Sequence, residues 1–326
     1  MPANSDGLIL QQLIEPEDAD RRTLEALRAG LTSSPKTLSP MHFYDERGSA
    51  LFEEITQLPE YYPTRAETSL LEAHSRGLMR NLQPSELVEI GSGYSRKTRL
   101  LIEAMHEFGG DRYLAFDVSD DAIEAAAREL GARYEWLEIH GVVGDFHEHL
   151  GRIPAGPKRL VAFLGSTFGN LELSERGPFL RDVGSMMKPD DRFLLGVDLV
   201  KDLAVMEAAY NDSRGVTAEF NKNVLHVLNR RLDADFPVDD FEHVAFFNEE
   251  VSRMEMWLEA QRAMTVQVRV LDLVIEFEQG ERMHTEISCK FTRASVEAAF
   301  EAGGLRPVDW REENEWGFGL ALAARG

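Results

Sequence analysis

The pattern that most constrains the fold of this chain is a regular alternation of strands and helices between residues 64 and 199. The predicted strands cover residues 87–90, 112–117, 136–143, 159–164 and 192–199. The predicted helices cover residues 67–81, 97–108, 120–130 and 174–187. Strands separated by helices of roughly 10–15 residues form parallel sheets. We therefore expect an α/β fold with a doubly wound sheet, whose ligand crevice lies at the carboxyl ends of the strands.

The first of these strands ends in a turn with two glycines, Gly91 and Gly93, that leads directly into a helix. Gly91 permits a tight turn, and Gly93 lets the backbone approach a ligand. A dinucleotide-binding fingerprint needs a third glycine where this chain has Arg96, which disfavours a pyrophosphate cofactor. With Glu89, the turn reads acid-x-Gly-x-Gly and resembles the first motif of class I S-adenosylmethionine-dependent methyltransferases. A turn that only reverses the chain is the alternative.

Further polar and aromatic residues follow the next strands of the predicted sheet. Asp117 closes the second strand, where an acid can accept both hydroxyls of a ribose. Asp145 and Phe146 follow the third strand and offer a carboxylate for an exocyclic amine and a ring for an adenine face. Small residues at 165–170 follow the fourth strand. Each acid could instead cap a helix, but their succession predicts an adenosyl-type ligand.

The charge balance disfavours some partners. The 326 residues include 57 acids and 35 bases, giving a net charge of −22 that repels phosphate backbones and anionic membranes. The only cysteine, Cys289, excludes an internal disulfide and suits a reducing compartment. The first residues do not resemble a signal peptide, and no run of 18 apolar residues occurs. We expect a cytoplasmic protein without a nucleic-acid or membrane partner.

A second, α+β unit is predicted to be inserted into the first. The pattern predicts helices at 202–210, 216–232 and 238–241, then strands at 253–260, 265–278 and 283–291, with a hairpin turn at 279–282. The tail returns to the first unit with a helix at 292–302 and strands at 305–311 and 317–324. Residues 8–31 have helical spacing.

In the predicted strand 283–291, Glu286 and Ser288 are two residues apart and therefore point to the same face. Met256 lies in the preceding strand 253–260. A solvated strand face for Glu286 and plain core packing for Met256 are the alternatives.

Several segments together resemble the histidine-specific methyltransferases, in particular those of ergothioneine biosynthesis. The resemblance extends from about residue 30 to the C-terminus, and its segments are residues 43–45, 58–65, 165–171, 253–258 and 285–291. It implies a methyltransferase domain of residues 63–198 plus 292–326 and a substrate-recognition domain of residues 1–62 plus 199–291.

The resemblance implies three methyl transfers from S-adenosylmethionine to the α-amine of L-histidine, giving the trimethylated betaine hercynine. Separately from the resemblance, we expect a monomer. The implied cofactor-binding residues are Gly91, Lys97, Asp117, Asp145 and Phe146. The implied substrate-binding residues are Tyr44, Tyr61, Gly165, Asn170, Tyr210, Met256, Glu286 and Ser288. Of these, Tyr44, Gly165 and Asn170 are implied in catalysis.

The methyl transfer that the resemblance implies requires no metal, because a sulfonium is already an activated electrophile. His140, His147 and His149 lack the i, i+4 spacing of a helical metal site and are interpreted as surface residues. Three alternatives stay open: a methyltransferase for another small amino acid or amine, a nicotinamide oxidoreductase, and a non-catalytic sensor of the same cofactor. Arg96 speaks against the oxidoreductase.

Overall fold

The computed structural model describes residues 8–14 and 16–326. Its α-helices are α1 (Pro16–Thr32), α2 (Glu46–Thr56), α3 (Pro63–Leu82), α4 (Arg99–His106), α5 (Asp120–Arg133), α6 (Leu173–Met186), α7 (Leu203–Tyr210), α8 (Val216–Leu232) and α9 (Arg293–Ala302). Its strands are β1 (Ile9–Gln12), β2 (Lys36–Thr37), β3 (Glu86–Ile90), β4 (Arg112–Asp117), β5 (Glu138–Val143), β6 (Arg159–Phe163), β7 (Arg192–Asp198), β8 (Phe241–Asn248), β9 (Arg253–Ala260), β10 (Met264–Val268), β11 (Leu273–Phe277), β12 (Arg282–Cys289), β13 (Leu305–Glu313) and β14 (Phe318–Arg325).

The chain divides into two compact units. Unit 1 comprises Pro63–Val200, Phe291–Gly326 and the described residues 8–14. It is built on an eight-stranded sheet with the order β1-β5-β4-β3-β6-β7-β14-β13. Strands β1 and β3 to β7 of this sheet are parallel, and β14 and β13 are antiparallel to their neighbours. The predicted α/β fold with a doubly wound sheet is confirmed.

The strand order reverses at β3. From β3 the chain continues to β4 and β5 on one side, and then crosses to β6 and β7 on the other. Ligands of open α/β sheets bind at such a switch point, outside the carboxyl ends of the strands. The turn with Gly91 and Gly93 follows β3 and therefore lies at this point.

The centre of the large sheet is covered on both faces, which explains the apolar strand sequences. All five residues of β3 and all five of β6 are buried. The core includes Leu87 and Leu160 from the strands and Leu70 and Leu101 from helices α3 and α4. Strands covered on both faces read as continuous apolar runs. This is why the sequence located β3, β4, β6 and β7.

The start of the described chain differs from the prediction. Residues 8–31 were expected to be helical and to belong to the substrate-recognition domain, but β1 pairs in parallel with β5 in the large sheet. Gly141 of β5 lets β1 lie this close, because a Cβ at that position would lie 2.7 Å from Leu10 Cδ1. A four-residue strand is too short to show a period that distinguishes it from the helix that follows.

Unit 2 comprises Pro16–Tyr62 and Lys201–Lys290. It contains a four-stranded sheet with the order β2-β12-β9-β8 and a separate pair, β10-β11. Helix α8 packs against α2, β8 and β9. Its bounds coincide with the predicted helix 216–232, because buried residues recur at helical spacing from Val216 to Leu232.

Three predictions in unit 2 are wrong. The hairpin at 279–282 does not form between β11 and β12, because β11 pairs with β10 and β12 pairs with β9. The predicted strand 265–278 is interrupted at Arg269–Leu271 by a 3-10 turn, after which Asp272 adopts a left-handed conformation with φ of 47°. The predicted helix at 238–241 is a single 3-10 turn that leads into β8.

Within the described residues, no helix is both long enough and apolar enough to cross a membrane.

Candidate active site

The turn after β3 has the conformation that its glycines predict. Gly91 and Gly93 have φ of 65° and 47°, in the left-handed region that residues with a Cβ rarely adopt. Apart from Gly93 itself and its two neighbours, no heavy atom of the described residues lies within 4 Å of the position that a Cβ would take at Gly93. The backbone at Gly93 therefore borders open space, as a turn that approaches a ligand requires.

Asp117, at the end of β4, is tied to this turn. Its Oδ2 accepts the Gly93 N–H at 2.8 Å, and its Oδ1 accepts the Ser119 N–H at 3.0 Å. Burial raises the pKa of Asp117 above its usual value, and the bonds from backbone amides oppose that rise. Ser119, not Asp117, caps α5 through the Ala122 N–H. Each carboxylate oxygen has two acceptor sites, so Asp117 has capacity for a ligand.

Beneath the turn, Glu89 lies in a buried network of hydroxyls. Its carboxyl group accepts hydrogen bonds from Thr98 Oγ1 and from the Tyr113 hydroxyl, which is 2.6 Å from Ser95 Oγ. Burial raises the pKa of Glu89 to about 7, although both hydrogen bonds favour the ionised form. Glu89 therefore joins the end of β3 to β4 and to the start of α4.

One buried hydroxyl of the turn lacks a protein partner. Ser92 lies between the two glycines, and its Oγ has no hydrogen bond in the described part of the chain. Because buried hydroxyls are nearly always paired, this atom suits a ligand group that can hydrogen-bond. With the open space at Gly93, the turn fits an amino-acid-bearing adenosyl cofactor.

Lys97 and Gly165 meet at a buried carboxylate that the sequence reading missed. Glu67 of α3 is fully buried, accepts the Gly165 N–H at 2.8 and 2.9 Å with its two oxygens, and forms an ion pair with Lys97 Nζ. A signal for it existed in the sequence, because Glu67 precedes the buried Leu70 and Leu71 by three and four residues and so lies on the apolar face of its helix.

The loop after β6 has positive φ at two consecutive residues, and the second of them is not a glycine. Gly165 and Ser166 have φ of 78° and 57°. The conformation of Ser166 is supported by the Asp198 N–H, which donates to Ser166 Oγ at 3.0 Å. Asn170 ends the 3-10 helix that follows. Supported strain of this kind is concentrated at functional sites.

Asp145 and Phe146 follow β5 as predicted. Asp145 Oδ1 accepts the His147 N–H at 2.8 Å, and the Phe146 ring packs edge-on against Phe163 and Phe179 at centroid distances of 5.7 and 5.8 Å. His149 is buried, contrary to its interpretation as a surface residue, and its Nδ1 accepts the Asp145 N–H at 3.1 Å. The backbone at 145–149 therefore forms a compact turn that fixes the position of Phe146.

In unit 2, one face of the sheet carries the predicted imidazole-reading residues. Glu286 pairs with Met256 and Ser288 pairs with Met254 across β12 and β9. Directly paired residues point to the same side of a sheet. A bulge between His284 and Glu286 sets this register, and Thr285 Oγ1 donates to the Met256 carbonyl at 2.9 Å. The structure thus brings Met256, Glu286 and Ser288 to one surface.

Tyr210, at the end of α7, reaches the same strand. Its hydroxyl donates to Ser288 Oγ at 2.8 Å. Lys290, which follows β12, donates from Nζ to both hydroxyl oxygens at 3.0 Å. Sequence reasoning missed Lys290, although the strand period that paired Glu286 with Ser288 also places Lys290 on that face.

The predicted tyrosines of unit 2 belong to a cluster of aromatic rings. The Tyr61 and Tyr210 centroids are 6.5 Å apart, and Tyr61 packs edge-on against Phe52 at 6.3 Å. Tyr44 packs against Phe52 and Phe220, each at 5.7 Å, and about half of its surface is exposed. The three tyrosines are thus linked through ring contacts within unit 2.

Comparison with known proteins decides the family. A model of the family described as histidine-specific methyltransferase, SAM-dependent, matches residues 23–325. The chain belongs to this family. The predicted family and methyltransferase class are confirmed, and S-adenosylmethionine is the family's cofactor.

Individual relatives agree with the family match. The histidine N-alpha-methyltransferase of Mycolicibacterium smegmatis is 47% identical over 319 residues, which cover 98% of this chain and 99% of that protein. Ergothioneine biosynthesis protein 1 of Neurospora crassa is 30% identical over 302 residues, or 89% of this chain and 34% of that protein. The solved structure of mitomycin 7-O-methyltransferase shares the fold, with a TM-score of 0.50, 16% identity and coverage of 94% of this chain and 67% of that chain.

Proposed function

We propose that this family member transfers methyl groups from S-adenosylmethionine to the α-amine of L-histidine, in three successive steps that give the trimethylated betaine. The observation that carries the proposal is the sheet face on which Glu286 and Ser288 lie beside Met256. A carboxylate and a hydroxyl suit the N–H and the ring nitrogen of a neutral imidazole. The relative from Mycolicibacterium smegmatis, named for this substrate, supports it.

The residues proposed to bind the cofactor lie around the switch point of unit 1. The turn at Gly91 lets the protein backbone approach the cofactor. Lys97 supplies a cation for the carboxylate of the cofactor, and Asp117 accepts hydrogen bonds from its ribose hydroxyls. Asp145 and Phe146 address the amine and the ring face of adenine. S-adenosylmethionine, when bound, supplies a methyl group on a sulfonium, which leaves as a neutral thioether.

The residues proposed for the substrate divide by the part of histidine that they address. Asn170 and Tyr210 bind the amino-acid end, Tyr44 and Gly165 lie near the amine, and the imidazole is read by Tyr61, Met256, Glu286 and Ser288. The amine must be neutral to attack, so a tyrosine or a water molecule accepts its proton. The remaining work is alignment, which can lower a barrier by roughly 7–11 kcal/mol.

The wider setting is also part of the proposal. A relative named for ergothioneine biosynthesis supports a role in that pathway. The net charge of −22 disfavours a nucleic-acid substrate. We further propose that the enzyme acts as a monomer in the cytoplasm.

The direct test is to incubate the protein with S-adenosylmethionine and each proteinogenic amino acid in turn, and to identify methylated products by mass. We expect mono-, di- and trimethylated histidine, and the same products after exhaustive chelation of metals. Products from another amino acid in the absence of histidine products would support the alternative substrate class and refute the proposal.

A further inference from the structure

Lys290 is a buried cation in contact with two hydroxyl groups of unit 2. Only 4% of its surface is exposed, and its Nζ lies 3.0 Å from both the Tyr210 hydroxyl and Ser288 Oγ. The same Nζ lies 4.8 Å from the centroid of the Tyr210 ring. Removing an ammonium group from water is costly, and the hydrogen bonds to the two hydroxyl oxygens offset part of that cost.

The backbone holds Lys290 firmly in this place. Its N–H donates to the Ser252 carbonyl at 2.8 Å, and its own carbonyl accepts from Ser252 Oγ at 3.2 Å. These bonds extend the ladder between β12 and β9 by one pair beyond Cys289 and Arg253. The orientation of the lysine side chain is therefore set by the sheet, on the face that carries Glu286 and Ser288.

The hydrogen bonds of Lys290 determine the direction of the two hydroxyl groups. An ammonium group has only donors, so Lys290 occupies an acceptor site on each oxygen and each hydroxyl proton must point elsewhere. The Tyr210 proton points to Ser288 Oγ at 2.8 Å. Ser288 Oγ then accepts two bonds, which use both of its acceptor sites, and its own O–H is left as a donor.

We propose that Lys290 is a positioning residue that makes Ser288 a hydrogen-bond donor toward the substrate. This inference rests on the proposed function. A serine that can only donate selects a ring with an acceptor nitrogen, while Glu286 selects the N–H of the same ring. Lys290 thereby extends substrate selection beyond the groups that touch histidine.

The test compares the specificity constants of wild type and Lys290→Met, whose side chain is apolar and of similar length. The substrates are L-histidine and a pyrrolylalanine, which keeps a ring N–H but has carbon in place of the acceptor nitrogen. Wild type should strongly prefer histidine. In Lys290→Met we expect kcat/KM for histidine to fall by on the order of tenfold to a hundredfold, mostly through KM. The preference for histidine over pyrrolylalanine should shrink, and KM for S-adenosylmethionine should change less than about twofold.

Lys36→Met is the matched control, because Lys36 is a mostly buried lysine of the same sheet. It forms an ion pair with Glu281 and lies 4.7 Å from the centroid of the Phe277 ring. We expect Lys36→Met to keep the kinetics of wild type. The Ser288→Ala background gives a second comparison, since Lys290→Met should lose most of its effect on ring preference when the serine is absent.

Lys290→Gln covers the case in which Lys290→Met does not fold, as judged by its melting temperature. A glutamine amide can both donate and accept, so it no longer fixes the hydroxyl protons and should also weaken the ring preference. Unchanged ring preference in the folded variant, or an equal rise of KM for histidine and cofactor, would overturn the proposal. If wild type does not methylate histidine, the proposed function itself fails, and this result is seen before any variant is compared.

Discussion

At the scale of single residues, Glu286 has the most specific proposed role, which is recognition of the imidazole N–H. It faces the same way as Ser288 and lies opposite Met256. A carboxylate beside an apolar thioether is well suited to an aromatic ring that carries an N–H. An analogue without that N–H would leave the carboxylate unmatched, and such mismatches discriminate between substrates more strongly than shape does.

We therefore expect Glu286→Ala to lower kcat/KM for histidine by roughly 10²-fold, with little change in cofactor affinity. Steady-state kinetics and calorimetry with the cofactor measure the two quantities. Glu276→Ala, which removes an exposed carboxylate on β11, is the control and should behave as wild type. Histidine kinetics that survive Glu286→Ala would make Glu286 a solvated strand residue.

At the scale of elements, the Glu67 side chain connects helix α3 to the loop after β6. Glu67 pairs with Lys97 and accepts the Gly165 N–H, and it also fills the space beside Gly196 of β7, where a Cβ would lie 2.0 Å from Glu67 Oε1. Removing one partner of a buried pair leaves the other charge uncompensated, which is far more costly than breaking an exposed pair.

Glu67→Ala should accordingly lower the free energy of unfolding by about 3 kcal/mol, the low end for a broken buried pair because Lys97 retains some exposure. Glu107→Ala breaks the exposed pair with Arg76 and should cost at most about 1 kcal/mol. Urea denaturation of both variants gives the comparison. Equal losses would show that Glu67 contributes no more than a surface charge.

The sequence predicted the elements whose buried residues recur at a clear period, and it missed those without such a period. Strand β9 and helix α8 were located because buried residues recur at the period of one element. Strand β8 was missed because six of its eight residues are only partly buried, which weakens the alternation. Strands β10 and β11 were read as one, since the break between them depends on a left-handed Asp272 rather than on glycine or proline.

The residues of the candidate site also differ in whether the sequence could predict them. The glycine turn and Asp117 could be predicted because strand ends and φ requirements are visible in the sequence. The roles of Tyr44, Tyr61, Asn170 and Tyr210 came from family resemblance. Lys290 and Glu67 act through contacts between elements that are distant in the chain. Such contacts leave no local pattern in the sequence. The sequence signal for Lys290 and Glu67 was a charged residue on an otherwise buried face of its element.

At the scale of the whole molecule, the buried Glu89 couples stability to pH. Its pKa is raised from 4.5 to about 7 by burial. Between these values the folded state keeps a proton that the unfolded state has released. The stability that this proton contributes to the folded state is therefore fully present below pH 4.5 and is lost as the pH rises through 7. With about 1.36 kcal/mol for each pKa unit, the loss amounts to roughly 3 kcal/mol.

Glu89→Gln should remove this dependence, since the amide does not titrate. We expect the variant to gain stability relative to wild type between pH 5 and pH 8, as measured by urea denaturation at both values. Glu129→Gln, at an exposed ion pair with Arg99, should show no such gain. A difference between wild type and Glu89→Gln that does not vary with pH would show that Glu89 does not change its charge in this range.

The place where the chain leaves the large sheet is also the place where it returns. The Val200 N–H donates to the Phe291 carbonyl at 2.9 Å, and the Phe291 N–H donates to the Asp198 carbonyl at 2.9 Å. Residues 201–290 thus form a closed excursion whose two ends are joined by main-chain bonds. The length and sequence of such an excursion can change at small entropic cost, while the sheet keeps its spacing. Under the proposed function, the residues of this excursion that address histidine can therefore change while the strands of the large sheet stay as they are.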